Sequence, residues 1–197
     1  MGNRYYIFNL YYIILNGIYS EGKGTITEEN IKEDYIKMIH SHIDMGNNKL
    51  KVVYDCGNGT TSIVADDVFN VFKDKLDLIP LFNTSDSTFP NHHPDPAVED
   101  NLSILKEKIR ETGADLGVAF DGDGDRIGVI DNNGRFINMD EFMILIWRNL
   151  VLKDVRKDTF FDVKCSLTLK EELDRLGIKN EFYRTGNSYT KAKSYEG

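Results

Sequence analysis

The densest chemistry in the chain lies in Asp121-Gly122-Asp123-Gly124-Asp125-Arg126. Carboxylates at three alternate positions put three negative charges into one short connection. Unpaired, such groups repel and raise one another's pKa. Around a small divalent cation the same oxygens become hard ligands of the kind Mg²⁺ prefers, and the intervening glycines let the backbone bend until the side chains converge. Asp121, Asp123 and Asp125 are therefore the candidate metal ligands, and Mg²⁺ is the candidate cofactor. Arg126 has two readings. Its planar guanidinium suits paired hydrogen bonding to a phosphate, or it serves as counter-ion to the aspartates. A metal beside a guanidinium can polarise a phosphoryl group and stabilise charge during its transfer. An EF-hand calcium loop is excluded: it requires Gly at its sixth position and Glu at its twelfth, which are Arg126 and Asn132 here.

Other groups carry weaker signals. His92 and His93 sit among prolines and aspartates and could bind a metal. Adjacent residues of an extended loop point apart, however, which favours a structural or interdomain role. Gly57-Asn58-Gly59 precedes a helix and could cradle a phosphate. It lacks the full dinucleotide or P-loop pattern, so a tight strand-to-helix turn is the better reading. Cys56 and Cys165 form no C-x-x-C pair and read as reduced, buried thiols.

The elements that must position these groups alternate. Thr27 is a candidate N-cap with Glu28 and Glu29 behind it, and Ile31, Tyr35, Met38 and Ile39 give the helix an apolar face that ends near Met45. Strands are expected at 51–55, 76–82, 115–120 and 127–131, with helices carrying Val64, Val68, Val71 and Phe72 and then Leu102, Leu105 and Ile109. Asn132-Asn133-Gly134 marks a turn. A second unit is expected from about residue 134: a helix at 139–152, a strand at 159–163, a helix through Leu169 and Leu173 to Gly177, a strand at 178–184, and a helix start at 188–194. This order argues for an α/β fold of mixed sheets layered with helices. Ligands in such folds sit on loops at strand ends, which is where the acidic loop falls. The expected division is an irregular segment over 1–25, a metal-loop domain over 26–133 and a partial α/β domain over 134–197.

Bulk properties narrow the partners. The 197 residues include 24 Lys plus Arg against 32 Asp plus Glu, a net charge of −8. That sign opposes non-specific nucleic-acid binding. The run from Tyr5 to Tyr19 is apolar and aromatic, but shorter than the ~20 residues that span a bilayer, and no small-x-small cleavage site follows it. It reads as an irregular start or the end of an upstream domain. No membrane association is expected, and a cytoplasmic location is.

At the acidic loop the sequence resembles the α-D-phosphohexomutases of the phosphomannomutase/phosphoglucomutase type, whose second domain carries a D-G-D-x-D-R magnesium loop. Further segments agree in order. Phe89-Pro90-Asn91-His92-His93-Pro94-Asp95-Pro96 with Glu99-Asp100-Asn101-Leu102 is similar to the family's F-P-x-H-x-P-x-P…E-N-L stretch. Ala114 to Asp121 is similar to the strand entering the metal loop. Phe161-Asp162-Val163-Lys164-Cys165-Ser166 and Arg184-Thr185-Gly186-Asn187-Ser188 resemble two marks of the third domain. The resemblance covers about residues 20–197 and implies a phosphohexomutase-type domain 2 plus an incomplete domain 3.

It further implies an enzyme that interconverts hexose 1-phosphate and hexose 6-phosphate through a bisphosphorylated sugar, so a phosphorylated hexose is the expected partner. Asp121, Asp123 and Asp125 would hold Mg²⁺ against a phosphoserine, and Arg126 would contact phosphate. Lys164 would transfer a proton or orient the reacting groups. The family's serine loop, its G-E-x-S-G-H sugar loop and its fourth domain do not occur in this sequence, so the expectation is a fragment that is inactive alone. A non-catalytic metal-binding or regulatory module of the same descent is the alternative. Where many relatives have His in a T-G-H-S mark, this chain has Asn187, which can hydrogen bond but cannot shuttle a proton near pH 7.

Overall fold

A computed structural model describes residues 2–155 and 157–195. The chain divides into two compact units, Met1–Tyr35 and Ile36–Gly197. In the first, residues Gly2–Leu15 form a helix, α1. Within the segment expected to be irregular over 1–25, residues 2–15 are helical and residues 18–25 have no regular structure: an unbroken run of large side chains free of Gly and Pro after Gly2 satisfies its own backbone as a helix. Its apolar side chains from Ile7 to Leu15, among them Phe8, Leu10 and Tyr11, are exposed. At 14 residues it is too short to cross a bilayer, and among the described residues no helix is long and apolar enough to do so. The next helix, α2 (Lys32–His42), starts later than the Thr27 cap predicts. The Asn30 side-chain oxygen accepts from the Lys32 N–H instead, so the cap is an Asn three residues further on.

The larger unit is built on a five-stranded sheet. Its strands are β1 (Leu50–Asp55), β2 (Leu76–Leu81), β3 (Leu116–Phe120), β4 (Ile127–Asp131) and β5 (Phe136–Ile137). Their order is β2-β1-β3-β4-β5. β1 is parallel to both β2 and β3, while β3/β4 and β4/β5 are antiparallel. β5 lies beyond residue 134, so the sheet outlasts the expected boundary. The Asn132-Asn133-Gly134 turn feeds back into the same sheet rather than leading out of it.

Helices cover both faces because successive strand residues alternate sides. Val53 and Ala119 join Leu102, Leu105 and Ile109 under α4 (Ser103–Thr112). Tyr54, Val118 and Phe120 join Ala65 and Phe69 of α3 (Ala65–Asn70) on the opposite face. Short 3-10 turns at Thr60–Ile63 and Glu99–Leu102 lead into these two helices. Burial on both faces explains why β1 and β3 read as near-continuous apolar runs.

A second, two-stranded parallel sheet pairs β6 (Thr159–Asp162) with β7 (Asn180–Tyr183). α5 (Met139–Leu152) and α6 (Leu167–Arg175) enclose a core of Ile144, Phe161, Leu169, Leu173 and Ile178. The Ser166 hydroxyl caps α6 by accepting from Thr168 N–H. A last helix, α7, runs Asn187–Ser194.

Candidate functional site

The strand order decides where the site forms. From β1 the chain crosses to β2 on one side, then returns past β1 to β3 on the other. That reversal is a topological switch point, and the crevice outside the carboxyl ends of the strands there is the favoured ligand position in open α/β sheets. Three loops emerge at it: Cys56–Thr60 after β1, the long loop 82–98 after β2, and the acidic loop 121–126 after β3.

The acidic loop joins β3 to antiparallel β4. The ladder closes at Phe120 opposite Ile127, and Asp121 N–H donates to the Arg126 carbonyl at 3.3 Å. Gly124 takes φ +77°, a left-handed conformation in which other residues are strained. Within this turn Asp121, Asp123 and Asp125 each present a carboxylate oxygen, all within 4.8 Å of one another, and this is the one such acidic, His or Cys group among the described residues. Ligands about 2.1 Å from a six-coordinate Mg²⁺ stand about 3.0 Å apart when adjacent and about 4.2 Å apart when opposite, so the three side chains would turn inward to share one ion. Three hard oxygens would also leave coordination positions for water or a phosphate oxygen.

The three carboxylates differ in character. Asp121 is buried, at 1% exposure, whereas Asp123 and Asp125 face solvent. Burial opposes ionisation of Asp121. It is outweighed by hydrogen bonds from the Arg126 backbone N–H (3.1 Å) and Nε (2.7 Å) and by the Arg126 charge, which hold this carboxyl below its ordinary range. For Asp125 the balance is opposite: the negative charges of Asp123 and then Asp121 raise its pKa. A group anchored as the anion beside one strained by its neighbours' charge is a donor set that a dication would relieve.

Arg126 is held on both sides. Its Nε binds Asp121 and its Nη1 donates to Asp95 Oδ1 at 3.0 Å, while the side chain stays 56% exposed. Hydrogen bonding to Asp121, opposed by partial burial and helped by the charges of Asp121, Asp95 and Asp125, keeps the guanidinium firmly protonated. Its counter-ion role is thus realised. The Nη2 group has no hydrogen-bond partner among the described residues, so it remains able to donate outward. An apolar hollow of about 400 Å³ opens beside Asp125 and Arg126, lined by Pro96, Ala97, Ile127, Phe136 and Met139.

Lys164 is not brought to this loop. It is exposed past the end of β6, and among the described residues no hydrogen bond or ion pair links it to residues 121–126. Its backbone N–H donates to Asp162 Oδ1, which also accepts from the Thr185 hydroxyl. These two bonds, led by the one from Lys164, lower the Asp162 pKa and tie together the loops that follow β6 and β7. Lys164 and Asn187 therefore both lie at the carboxyl end of the second parallel sheet.

The histidine pair is divided. His93 is exposed, whereas His92 is clasped, its Nε2 3.1 Å from Asp55 Oδ2 and its Nδ1 2.9 Å from the His93 carbonyl. The Phe82 ring stands edge-on to it. Both ring nitrogens thus face acceptors, which only the imidazolium satisfies. The hydrogen bond to Asp55, opposed by burial and assisted by the His93 carbonyl and the Asp55 charge, raises its pKa above the ordinary 6.5. Stability from this contact is fully present below pH 6.5 and is lost as pH rises through the higher folded value. The urea midpoint gap between wild type and His92→Gln should accordingly be larger at about pH 6 than at about pH 9. A gap that widens with pH would contradict the imidazolium.

Both cysteines are free. Burial, then the charges of Asp55 and Asp66, push the Cys56 thiol up to about 12, so it is inert at neutral pH. Sequence reading missed Asp95 as the second anchor of Arg126 and Asp55 as the partner of His92. Neither lies near its partner in sequence, so no spacing rule marks them.

The arrangement defines an α/β/α sheet domain with a convergent carboxylate trio and a guanidinium at its switch point. Residues 33–134 match the family described as "Phosphoglucomutase/phosphomannomutase, alpha/beta/alpha domain II", and the chain belongs to this family. It is 42% identical over 169 residues to the phosphomannomutase/phosphoglucomutase of Pseudomonas syringae pv. tomato, a match covering 86% of this chain and 36% of that protein. With the enzyme of the same name from Pseudomonas aeruginosa (strain PAO1) it shares 38% over 177 residues, 90% of this chain and 38% of the relative.

The crystal structure of a phosphoglucomutase/phosphomannomutase family protein from Burkholderia thailandensis superposes with a TM-score of 0.87 at 34% identity. It covers 96% of this chain and 41% of that one. A lower likeness, TM-score 0.54 at 17% identity over 78% of this chain and 33% of the other, links the fold to Aspergillus fumigatus N-acetylphosphoglucosamine mutase, solved with GlcNAc-6P and magnesium. The chain spans little more than a third of the length of the curated relatives it matches.

Proposed function

We propose that this chain supplies the magnesium-holding part of a hexose-phosphate mutase, which interconverts hexose 1-phosphate and hexose 6-phosphate through a bisphosphorylated sugar. The observation that carries the reading is the meeting of Asp121, Asp123 and Asp125 oxygens within 4.8 Å beside the Arg126 guanidinium. Bound there, Mg²⁺ would supply positive charge to a phosphoryl oxygen and cancel the repulsion within the loop. Asp121, fixed by Arg126, orients the trio. Arg126 directs its remaining N–H groups toward a phosphate, and Asp95 limits its freedom by holding Nη1. Lys164, on the second sheet, would act on the far side of a substrate bridging the two sheets. The names of the relatives and the magnesium complex of the fungal mutase support this assignment. In this reading residues 26–133, extended through β5, form the metal-loop domain, and the elements from α5 onward begin the next one. The expected location is the cytoplasm.

Two titrations test the proposal. Calorimetry with Mg²⁺ alone should give one binding event. Inorganic phosphate should then bind measurably only in the presence of Mg²⁺, and Arg126→Gln should weaken that second step about tenfold through loss of its charge-assisted hydrogen bonds. Phosphate binding indifferent to Arg126→Gln would remove Arg126 from the phosphate site. The chain by itself is expected not to turn over glucose 1-phosphate, and turnover abolished by Asp123→Ala would overturn that expectation.

A further inference from the structure

Asn58 is the buried polar residue of the Cys56–Thr60 turn after β1, and the role proposed above does not use it. It is 7% exposed and adopts φ +58°, a left-handed conformation that Asn tolerates better than most residues. Its four backbone and side-chain groups all bond to the loop that follows β2. The backbone N–H donates to the Phe82 carbonyl at 3.0 Å, and the backbone carbonyl accepts from Asp86 N–H at 2.9 Å. Nδ2 donates to the Thr84 carbonyl at 2.8 Å, and Oδ1 accepts from Asn91 Nδ2 at 2.7 Å.

Each end of this assembly reaches the acidic loop. On one side, Thr60 N–H and Oγ1 both donate to the Gly122 carbonyl, at 2.9 and 3.2 Å. The approach is so close that a Cβ on Gly59 would stand 2.8 Å from that oxygen. Gly122 lies between two of the candidate ligands. On the other side, the loop that Asn58 binds carries Asp95, which holds Arg126 Nη1, and Arg126 in turn holds both oxygens of Asp121. Asn58 therefore closes a circuit through all three switch-point loops, anchoring the acidic loop at its middle and at its end.

We infer that Asn58 is a positioning residue for the acidic loop, setting the separation of the three carboxylates through Gly122 on one side and Asp95–Arg126 on the other. The inference rests on the metal-site reading. Outer partners of this kind typically change metal affinity by about 10–100-fold when removed. Gly tolerates the left-handed backbone while deleting both side-chain bonds, so Asn58→Gly isolates the side chain's contribution.

The test is Mg²⁺ titration of the whole chain, well below the unfolding transition, for wild type, Asn58→Gly, Asn91→Ala and Ile109→Val. Asn91→Ala removes the donor to Asn58 Oδ1 from an exposed position, so it keeps the test decisive if Asn58→Gly does not fold. Ile109→Val lowers stability in the core under α4, away from this circuit. We expect about a tenfold weaker Kd for Asn58→Gly and a smaller loss in the same direction for Asn91→Ala. Ile109→Val should leave the Kd within about twofold. Wild-type binding with unchanged Kd in Asn58→Gly or, failing that, in Asn91→Ala would overturn the positioning role alone, as would an equal loss in Ile109→Val. Absence of Mg²⁺ binding in the wild type would instead overturn the metal reading on which it rests.

Discussion

Mg²⁺ binding is expected to disappear when Asp121, Asp123 and Asp125 are all changed to asparagine, with a loss exceeding the roughly 10–100-fold seen for outer partners of a metal. Asparagine keeps each side chain's shape but removes the charge that a hard dication needs. The informative companion is Asp123→Asn with Asp125→Asn, which leaves the Asp121–Arg126 pair intact. In the metal-free protein Asp125 is raised above its ordinary 3.8 by the neighbouring aspartates. Its ionised form is therefore disfavoured in the folded state, and stability falls as pH rises through the folded value. Neutralising the pair should raise the melting temperature of the metal-free protein at neutral pH and, in the same variant, eliminate the stabilisation that Mg²⁺ gives the wild type. Calorimetry with and without Mg²⁺ reads both quantities. A double variant that melts lower without metal would mean that the carboxylates are not held in mutual repulsion, and the physical case for a cation site would fail with it.

The largest stability effect is expected at Leu105. This side chain is wholly buried beneath the sheet. It packs where β3 has no side chain to offer: a Cβ on Gly117 would meet Leu105 Cδ1 at 2.9 Å and Ile109 Cδ1 at 2.5 Å. Strand backbone forms one wall of the space Leu105 fills, and backbone cannot relax inward as a flexible side chain can. Leu105→Ala should therefore cost about 3–5 kcal/mol, in the upper part of the range for leucine truncation, because the cavity persists. Urea unfolding should show a lower midpoint at nearly unchanged slope. A loss below about 1 kcal/mol would show that the helix settles onto the strand and closes the gap.

Much of this protein is legible from residues in order. The strands at 50–55, 76–81, 116–120 and 127–131 announce themselves because apolar runs of that length between turn residues have few other uses. The helices through Leu105 and Leu169 show their buried faces at three- and four-residue spacing. The Asp121–Arg126 loop is legible for a similar reason: its chemistry lies in six consecutive residues, and crowded charge is conspicuous without coordinates. The start of the chain was less legible. Apolar residues from Ile7 to Leu15 face outward along a helix, so no amphipathic period distinguishes it from irregular chain.

What the linear order determined is local: which segments pair or coil, and that three carboxylates share one turn. The tertiary structure alone decided that β1 lies between β2 and β3, and so that the loops after these three strands meet at one crevice. It also decided that Asp95, 31 residues from Arg126, is the acid that holds it, and that His92 closes on Asp55 from 37 residues away. Such contacts depend on the order in which strands align and on where a long loop returns. Those are set by the packing of whole faces against one another, which no short window of sequence contains.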